Sequence, residues 1–590
     1  MNHRSLLEVV HLLRPLSNGG TVVTQRSTLL ATALLMMAGA VEAQTPPQPG
    51  PLPQEVQNRI MEVANDPATL RITGRSRIPS GTLVDANVVV LGGNLNLGGE
   101  VTGSLFVVNG SLELDPGAVV TGPVLVVGGR LSGLEEATLT QPPEVYAGPL
   151  LYRVRADRIE GVDADGRVPS QFLDTDLGIG RSRLTLRAAG PYNRVEGLPV
   201  QFGPIFASEG RNPLILEAFG IWRSEAGLSV DTERLGYEFT VNQAMGGRGT
   251  LSAGLSTYSR IQSIEERGMS NLETSLATFL MRRDYRDYYE AQGWSAHLDA
   301  RPIRFPIHAR LAFREEENSL VLPGGPWTLG DGDRPWRAQP AIADGTAQFL
   351  EGSITLDTRD DPDHPADGWW AHFRTRWQLG GQLQSTFDPQ MSSLGGEGPE
   401  FARIRWAELD LRRYARLSPS SQVNLRIHGA GSLTSNPIPP QFQSALGGEG
   451  SLPGHPRFAL DCGARSEGPV PVVESNGEDQ AYPFYGCDRV TLGQIEFQQD
   501  LPISWEPLPD DWGDPEWSGS LRIQPALSLF VSAGQGWARN QDGFPERPDS
   551  SRRGDVGLGL VTGSLGLYWA YPLNRKERGL NFFVRLHHRF

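Results

Sequence analysis

The sequence predicts an all-β protein, a transmembrane antiparallel β-barrel of about 16 strands with a small N-terminal β-solenoid module. Three observations support this fold class. The composition, with 69 Gly and 45 Pro among 590 residues, favours strands and turns over long helices. Short apolar units recur at nearly constant spacing in the first quarter of the chain. Alternating apolar and polar residues dominate the rest.

The N-terminus predicts export from the cytoplasm. A basic lead-in ends at Arg26, an apolar run covers Leu29–Ala40, and the letters VEA precede Gln44. This pattern is typical of a signal peptide over residues 1–43 that is cut after Ala43. The alternative is a membrane-spanning helix, which needs about 20 apolar residues, and the run is too short for it.

The next part of the chain divides into a spacer and a repeat. Residues 44–70 are rich in Pro and predict a disordered or extended spacer that contains one short amphipathic piece. Residues 71–141 carry β-turn-β units that begin at Val88, Leu105 and Val124, with offsets of 17 and 19 residues. A repeat of this kind predicts one structural unit stacked on the next.

Short β-branched strands followed by Gly-Gly or Asn-Gly are what a β-solenoid requires, because the turns form its corners and the strands stack their apolar side chains. The rungs resemble the β-helix of bactofilin-type polymer-forming domains. A pair of ordinary hairpins is the alternative, since Asn-Gly is also a common hairpin turn. Residues 142–190 predict a periplasmic connector with a strand or two, and residues 191–590 predict the barrel.

The barrel prediction depends on strands that have one apolar and one polar face. In one segment Trp294 and Leu298 alternate with His297 and Asp299. A soluble antiparallel sandwich alternates in the same way, but export and the end of the chain favour a membrane barrel. There an apolar face ends on an aromatic residue, as in the assembly signal of outer-membrane proteins. Its members are Phe582, Val584, Leu586 and Phe590, while His588 interrupts it.

Five motifs resemble those of the BamA/TamA-like bacterial surface antigen family, in the family's order. They are YNRVEGL from Tyr192; a turn with Asp357, Arg359, Asp360, Asp361, Pro362 and Gly368; a loop with Gly447, Gly448, Ser451, Leu452 and Gly454; GQIEF from Gly493; and AYPL from Ala570. The resemblance implies 16 strands, a loop folded back into the lumen, and a role in outer-membrane protein assembly. The chain departs from the family at Pro453, where an Arg is usual, and at His455, where an aromatic residue is usual. The β-repeat also stands where polypeptide-transport domains are usual.

Other candidate sites are few. Cys462 and Cys487 lie in one long segment of an exported chain and predict a loop-closing disulfide. A zinc site there is rejected, because no His lies between them. The acidic cluster that begins at Asp357 suggests either a cation site or, as Asp and Pro favour, a solvated turn. Arg and His on the polar strand faces suggest a lumen that favours anions, unless acidic loops neutralise it.

No catalytic Ser elbow, zinc-protease motif or phosphate loop occurs, so we predict a non-enzyme without metal or cofactor. The formal net charge of −15 and the lack of a basic block argue against a nucleic-acid partner.

Three functions remain open from the sequence. The favoured one is outer-membrane protein assembly or polypeptide translocation, with barrel assembly machinery or client proteins as partners. The second is a passive pore or structural barrel anchored through a periplasmic β-module. The third is self-association through residues 71–141. In each case the protein lies in the outer membrane, in contact with its lipid, with the N-terminal module in the periplasm.

Overall fold

The computed structural model describes residues 52–586 and 589, with gaps at 74–75, 147, 151, 156–157, 162–169, 227–234, 247–249, 266–267, 303–304, 331–334, 361–364, 389–392, 395–397, 419, 458–459, 463, 466–472, 476–477, 483–485, 504–524, 540–549, 551, 564 and 574–578. The predicted signal peptide and the first part of the spacer lie outside the described residues. Within them, no helix is long and apolar enough to cross a membrane.

The N-terminal module is a β-solenoid preceded by a helix, α1 (Gln54–Ala64). The helix lies in the segment predicted as a spacer, at the amphipathic piece. Thirteen short strands follow. They are β1 (Leu70–Thr73), β2 (Ser76–Ile78), β3 (Leu83–Val84), β4 (Val88–Leu91), β5 (Leu95–Leu97), β6 (Glu100–Val101), β7 (Leu105–Val108), β8 (Leu112–Leu114), β9 (Val119–Val120), β10 (Val124–Val127), β11 (Leu131–Ser132), β12 (Thr138–Leu139) and β13 (Glu144–Tyr146).

These strands form three parallel sheets, one per side of the coil, so the hairpin alternative is excluded. The repeat units stack in register, with Val88 beside Leu105 and Leu105 beside Val124. β4, β7 and β10 are apolar at all four positions because both of their faces are buried. One face forms the solenoid core. The other face packs against residues of α1 such as Val56 and Ile60.

At the Gly-Gly corners, the backbones of neighbouring rungs approach each other closely. A Cβ on Gly110 would lie 1.8 Å from the carbonyl oxygen of Gly93 in the rung before it, and a Cβ on Gly129 would lie equally close to that of Gly110. Any side chain at Gly110 would therefore separate neighbouring rungs.

Where the rest of the chain is described, it forms β14 to β40, one further α-helix, α2 (Asn271–Met281), and two short 3-10 helices, Ser224–Ala226 and Pro440–Phe442. The strands are β14 (Tyr152–Arg155), β15 (Arg158–Gly161), β16 (Ser170–Asp176), β17 (Gly180–Ala188), β18 (Pro199–Ser208), β19 (Leu214–Arg223), β20 (Gly236–Met245), β21 (Leu251–Ser263), β22 (Tyr288–Ala300), β23 (Ile307–Ser319), β24 (Gln339–Pro340), β25 (Ala343–Asp357), β26 (Gly368–Gly381), β27 (Gln384–Ser385), β28 (Phe387–Asp388), β29 (Ser393–Leu394), β30 (Arg405–Ser418), β31 (Ser421–Ser432), β32 (Leu460–Asp461), β33 (Ala464–Arg465), β34 (Val473–Ser475), β35 (Glu478–Tyr482), β36 (Arg489–Asp500), β37 (Ala526–Trp537), β38 (Arg553–Thr562), β39 (Leu565–Pro572) and β40 (Asn581–Arg585).

One antiparallel sheet of 18 strands runs from β16 to β40 in chain order. Without the two-residue β27 and the leading β16, it has 16 strands, so the predicted fold class is confirmed. The sheet extends upstream of residue 191, where the sequence placed the start of the barrel. Both β16 and β17 fall in the segment predicted as a connector.

The strands turn an apolar face outward. On β22, Trp294 is 41% exposed and Leu298 is 44% exposed, whereas Asp299, directly after Leu298, is 3% exposed and faces the interior. The same alternation places many large apolar residues outside. They include Phe202, Phe239, Leu255, Leu311, Ile354, Phe373, Leu409, Ile427, Ile495, Leu529, Leu558, Phe582 and Val584.

The two ends of the barrel differ. One end, the turn end, carries mostly short connections, such as 209–213 and 301–306, with 501–525 as a longer one. The other end, the loop end, carries 264–287, 320–342 and 382–404, together with the long connection 433–488. Membrane barrels of bacteria have short periplasmic turns and longer extracellular loops.

Candidate functional site

The loop motif found in the sequence forms a compact turn, residues 446–457, which we call the in-folded segment. Gly447 and Gly448 have φ values of 96° and 84°, a left-handed conformation that favours glycine. The Gly448 N–H donates to the carbonyl of His455 (2.7 Å), and the Ser451 hydroxyl donates to the carbonyl of Gly447 (3.0 Å). The shape of the segment is thus fixed by its own glycines and internal hydrogen bonds, apart from its contacts with the barrel wall.

On one side, the in-folded segment binds the inner faces of β31 and β36. Arg426 donates from Nη1 to the carbonyl of Gly450 (3.2 Å), and Gln494 donates from Nε2 to the carbonyl of Ser451 (2.8 Å). Leu452 is completely buried in an apolar cluster that includes Leu492 of β36. Two backbone carbonyls and one leucine therefore hold the segment against this wall.

On the other side, the segment reaches strands near the end of the chain. The Gly454 N–H donates to Oδ2 of Asp555 on β38 (2.9 Å), and Asn581 on β40 donates to the carbonyl of Pro453 (2.6 Å). Arg457 forms an ion pair of 3.3 Å with Glu265, which follows β21. Strands from distant parts of the sheet meet the segment together, so it occupies the interior of a curved sheet.

The chain has Pro453 where an Arg is usual in the family that it resembles, and the structure places a different arginine in the interior. Arg589, just beyond β40, donates from Nη2 to the hydroxyl of Ser532 (2.7 Å) and lies 3.6 Å from the ring centroid of Phe530. Its charge also acts on Glu496 and Asp555. This role was not predicted, although Arg589 lies out of phase with Phe582, Val584 and Leu586 in the sequence.

Helix α2 joins both ends of the sheet from inside. Its Glu273 forms a buried ion pair of 2.9 Å with Arg585 on β40 and accepts the Leu586 N–H (2.7 Å). Its Ser275 accepts the N–H of Tyr192, in the loop between β17 and β18 (2.9 Å). We call these contacts the α2 clasp, because they connect the first barrel loop to the last strand.

The clasp depends on the charge of Glu273. Burial alone would raise the pKa of this carboxyl, but Arg585 and the N–H groups of Ser270 and Leu586 outweigh that effect, so the pKa lies below its usual value. Ser270 and Glu273 also form a reciprocal capping box that begins the helix. Helix α2 was not predicted, although this Ser-x-x-Glu pattern is visible in the sequence.

The motif at Tyr192 forms a buried ion network beside the clasp. Arg194 is completely buried and donates to Asp287 (2.6 Å) and to the side-chain oxygen of Gln339 (2.8 Å). A second carboxylate, Asp284, lies 3.5 Å from its guanidinium. These bonds tie the loop between β17 and β18 to the connections that precede β22 and β25.

The turn motif closes the hairpin between β25 and β26 at the turn end. Arg359 binds Asp357 through Nε (2.9 Å) and Nη2 (2.7 Å), and Asp360 accepts the N–H groups of Ala366 and Asp367, both at 2.9 Å. Gly368 begins β26. Asp361 and Pro362 lie outside the described residues. Where the chain is described, no three His, Cys, Asp or Glu are grouped to hold a metal ion.

The predicted disulfide is not formed in the structure. The side chains of Cys462 and Cys487 are buried in one apolar cluster without a bond between their sulfurs. Both lie against Gly536 of β37. Backbone hydrogen bonds already join Cys487 to Ser444 (2.8 and 3.1 Å), so the segment is held here without a covalent link. Each cysteine acts as a small apolar group in this cluster.

The closing strand has the faces expected from the sequence. Phe582 and Val584 are exposed on the outside, and Phe583 and Arg585 are buried on the inside. Leu586 is half-buried, directly after β40. The predicted terminal residue of the assembly signal, Phe590, lies outside the described residues, as does His588.

No protein-family model matches the chain, and no curated protein matches it. Among solved structures, the chain is similar to BamA from Haemophilus ducreyi lacking POTRA domains 1-3, with 13% identity and a TM-score of 0.37 over 69% of this chain and 70% of that one. It is also similar to CdiB from Acinetobacter baumannii, with 11% identity and a TM-score of 0.28 over 70% and 66%. CdiB from Escherichia coli has the same identity and TM-score over 74% and 66%. These scores are too low to carry a conclusion to this chain.

Proposed function

We propose that the protein is an outer-membrane barrel that assembles or translocates other polypeptides at the seam between the two ends of its sheet. The apolar outer face fits the hydrocarbon of a bilayer. The turn end then faces the periplasm. The N-terminal module is proposed on that side.

This proposal is carried by one observation, that the two ends of the sheet are not joined by strand pairing within the described residues. Within the described residues, β40 pairs only with β39 and β16 pairs only with β17. The two ends are connected instead by side chains of the α2 clasp, while the in-folded segment fills the interior. A strand edge without a ladder is a template on which another chain can add a strand.

The test uses the purified full-length protein in lipid vesicles, with an unfolded outer-membrane barrel as client. Folded client is measured by its altered mobility in unheated gel electrophoresis. To lock the seam, Glu273→Cys and Arg585→Cys are joined by a short bis-maleimide in a Cys462→Ser, Cys487→Ser background. We expect the wild type to accelerate client folding and the locked protein to lose that acceleration.

The matched control cross-links Asp299→Cys to Arg310→Cys in the same background. This inward-facing pair, at 3.3 Å, joins the neighbouring strands β22 and β23 away from the seam. Its cross-linked form should fold client as well as the unlocked protein. Undiminished client folding with a locked seam would disprove the seam mechanism. A wild type without any effect on client, combined with stable conductance in a planar bilayer, would favour the passive pore instead.

A further inference from the structure

Two Trp–Arg pairs lie on the outer face of β26 and β30, one towards each end of the barrel. Trp369 faces Arg413 and Trp377 faces Arg405 in the strand register. The guanidinium carbons lie 5.5 and 5.8 Å from the respective ring centroids, within the range of cation–π attraction. Both arginines therefore lie on the surface that the proposed function places against lipid.

The distance between the pairs agrees with a membrane band. Trp377 lies eight positions after Trp369, and Phe373 lies exposed between them. At about 3.3 Å per residue they span about 26 Å along the strand, or about 20 Å along the membrane normal for a tilt of about 40°. The apolar band of such barrels is about 25 Å tall, so each pair lies close to one membrane surface.

Among the described residues, a carboxylate neutralises one of the two arginines and not the other. At the turn end, Arg413 binds the carboxylate of Asp367 (2.8 Å) and donates to the carbonyl of Gly368 (2.9 Å). At the loop end, Arg405 is exposed, and no carboxylate among the described residues lies within ion-pair distance of it. This difference is the basis of the inference.

The neighbours of Arg405 on the outer face are apolar. Leu350 faces Trp377 on one side, and the N–H of Leu433 donates to the Arg405 carbonyl on the other. Leu350 and Leu433 are 37% and 59% exposed. A guanidinium among lipid-facing apolar groups is costly unless its head reaches the polar surface of the bilayer. Its ligand must therefore come from that surface.

We propose that Arg405 and Trp377 form a binding site for the phosphate of an anionic lipid headgroup in the leaflet at the loop end. The planar guanidinium offers paired donors that match phosphate oxygens. The indole ring, at headgroup level, fixes the approach of the guanidinium. The site rests on the outer-membrane placement in the proposed function, but not on the assembly activity.

The test measures which lipid lies next to Trp377. Full-length protein is inserted into vesicles of phosphatidylcholine that contain brominated phosphatidylglycerol or, in parallel, the same fraction of brominated phosphatidylcholine. Bromine quenches tryptophan fluorescence, and the signal lost in Trp377→Phe defines the contribution of Trp377. An arginine near an anionic surface is worth about 1 kcal/mol, so we expect roughly fivefold enrichment of phosphatidylglycerol at this site.

Arg405→Gln should abolish the enrichment, whereas Arg413→Gln is the matched control and should leave it unchanged. Retained enrichment in Arg405→Gln would overturn the proposal. Loss of enrichment on adding inorganic phosphate to the buffer would do so too, because the ligand would then be the free ion. Absence of quenching by either lipid would refute membrane insertion itself, independently of any result on client folding.

Discussion

At the residue scale, buried charges in the interior are satisfied by partners that are distant in sequence. Arg194 is the clearest case, since its carboxylate partners Asp284 and Asp287 come from the connection before β22. The motif was visible in the sequence. Its partners were not, because an acidic residue in a long connection gives no sign of which arginine it will meet.

Replacing Arg194 with Leu should strongly destabilise the barrel, because buried Asp284 would lose its cation and buried Asp287 would keep only Arg337. The expected cost is about 3–5 kcal/mol, as for other broken buried ion pairs. It can be measured as a lower temperature at which the folded band in unheated gel electrophoresis converts to the unfolded one. Arg211→Leu, an exposed change in a turn, should leave that temperature unaltered, and equal effects of both changes would contradict this assignment.

At the element scale, α1 is attached to the solenoid by apolar packing and by one ion pair. Arg59 binds Glu144 of β13 through two hydrogen bonds (2.8 and 3.1 Å). The hydrogen bond from Arg59, opposed by burial, lowers the pKa of Glu144. The side chains are 40% and 44% exposed, so solvent screens the pair and its contribution is about 0.2–1 kcal/mol.

The sign of the pH dependence follows from that lowered pKa. The stabilisation is complete above the ordinary glutamate pKa of about 4.3 and is lost as pH falls through the lower folded value. A fluorophore on Asn58→Cys, at an exposed position of α1, should therefore gain mobility as acid is added below that range. The same label with Glu144→Gln should not respond to acid there, and identical titrations would refute the role of this pair.

Elements differ in how far the sequence predicted them. The solenoid was predictable because its spacing and its Gly-Gly corners are local and repeat. Barrel strands were predictable from alternation, as at Trp294 and Leu298. Helix α2 was not, because its position in the interior depends on Arg585, more than 300 residues away in the chain. The start of the sheet was also misplaced, because it was set by the motif at Tyr192, although Leu184 and Leu186 already alternate with polar residues in β17.

At the scale of the whole molecule, the number of strands constrains how the sheet can close. Neighbouring strands alternate in direction, so β17 and β40 are antiparallel and can pair as in other barrels. The leading strand β16 runs parallel to β40 and occupies the edge of β17. An even ring of antiparallel strands therefore requires β16 to leave that edge.

Deleting residues 170–176 should consequently leave a barrel that closes more firmly. We expect the folded band to persist to a higher temperature in unheated gels, and client folding to fall because the seam is sealed. Deleting an equal length from the connection 501–525 serves as the comparison. A lower conversion temperature after removal of β16 would show that this strand is part of the closed wall.

The column of stacked glycines at the solenoid corners determines the steps by which the solenoid can change in length. Because Gly93, Gly110 and Gly129 stack backbone on backbone, the coil can grow or shrink only by whole rungs, each adding about 4.8 Å. A partial insertion would break the column, whereas a complete unit of 17 or 19 residues would extend it. The length of the module is thus fixed in units of one rung, and related chains should differ in it by whole rungs.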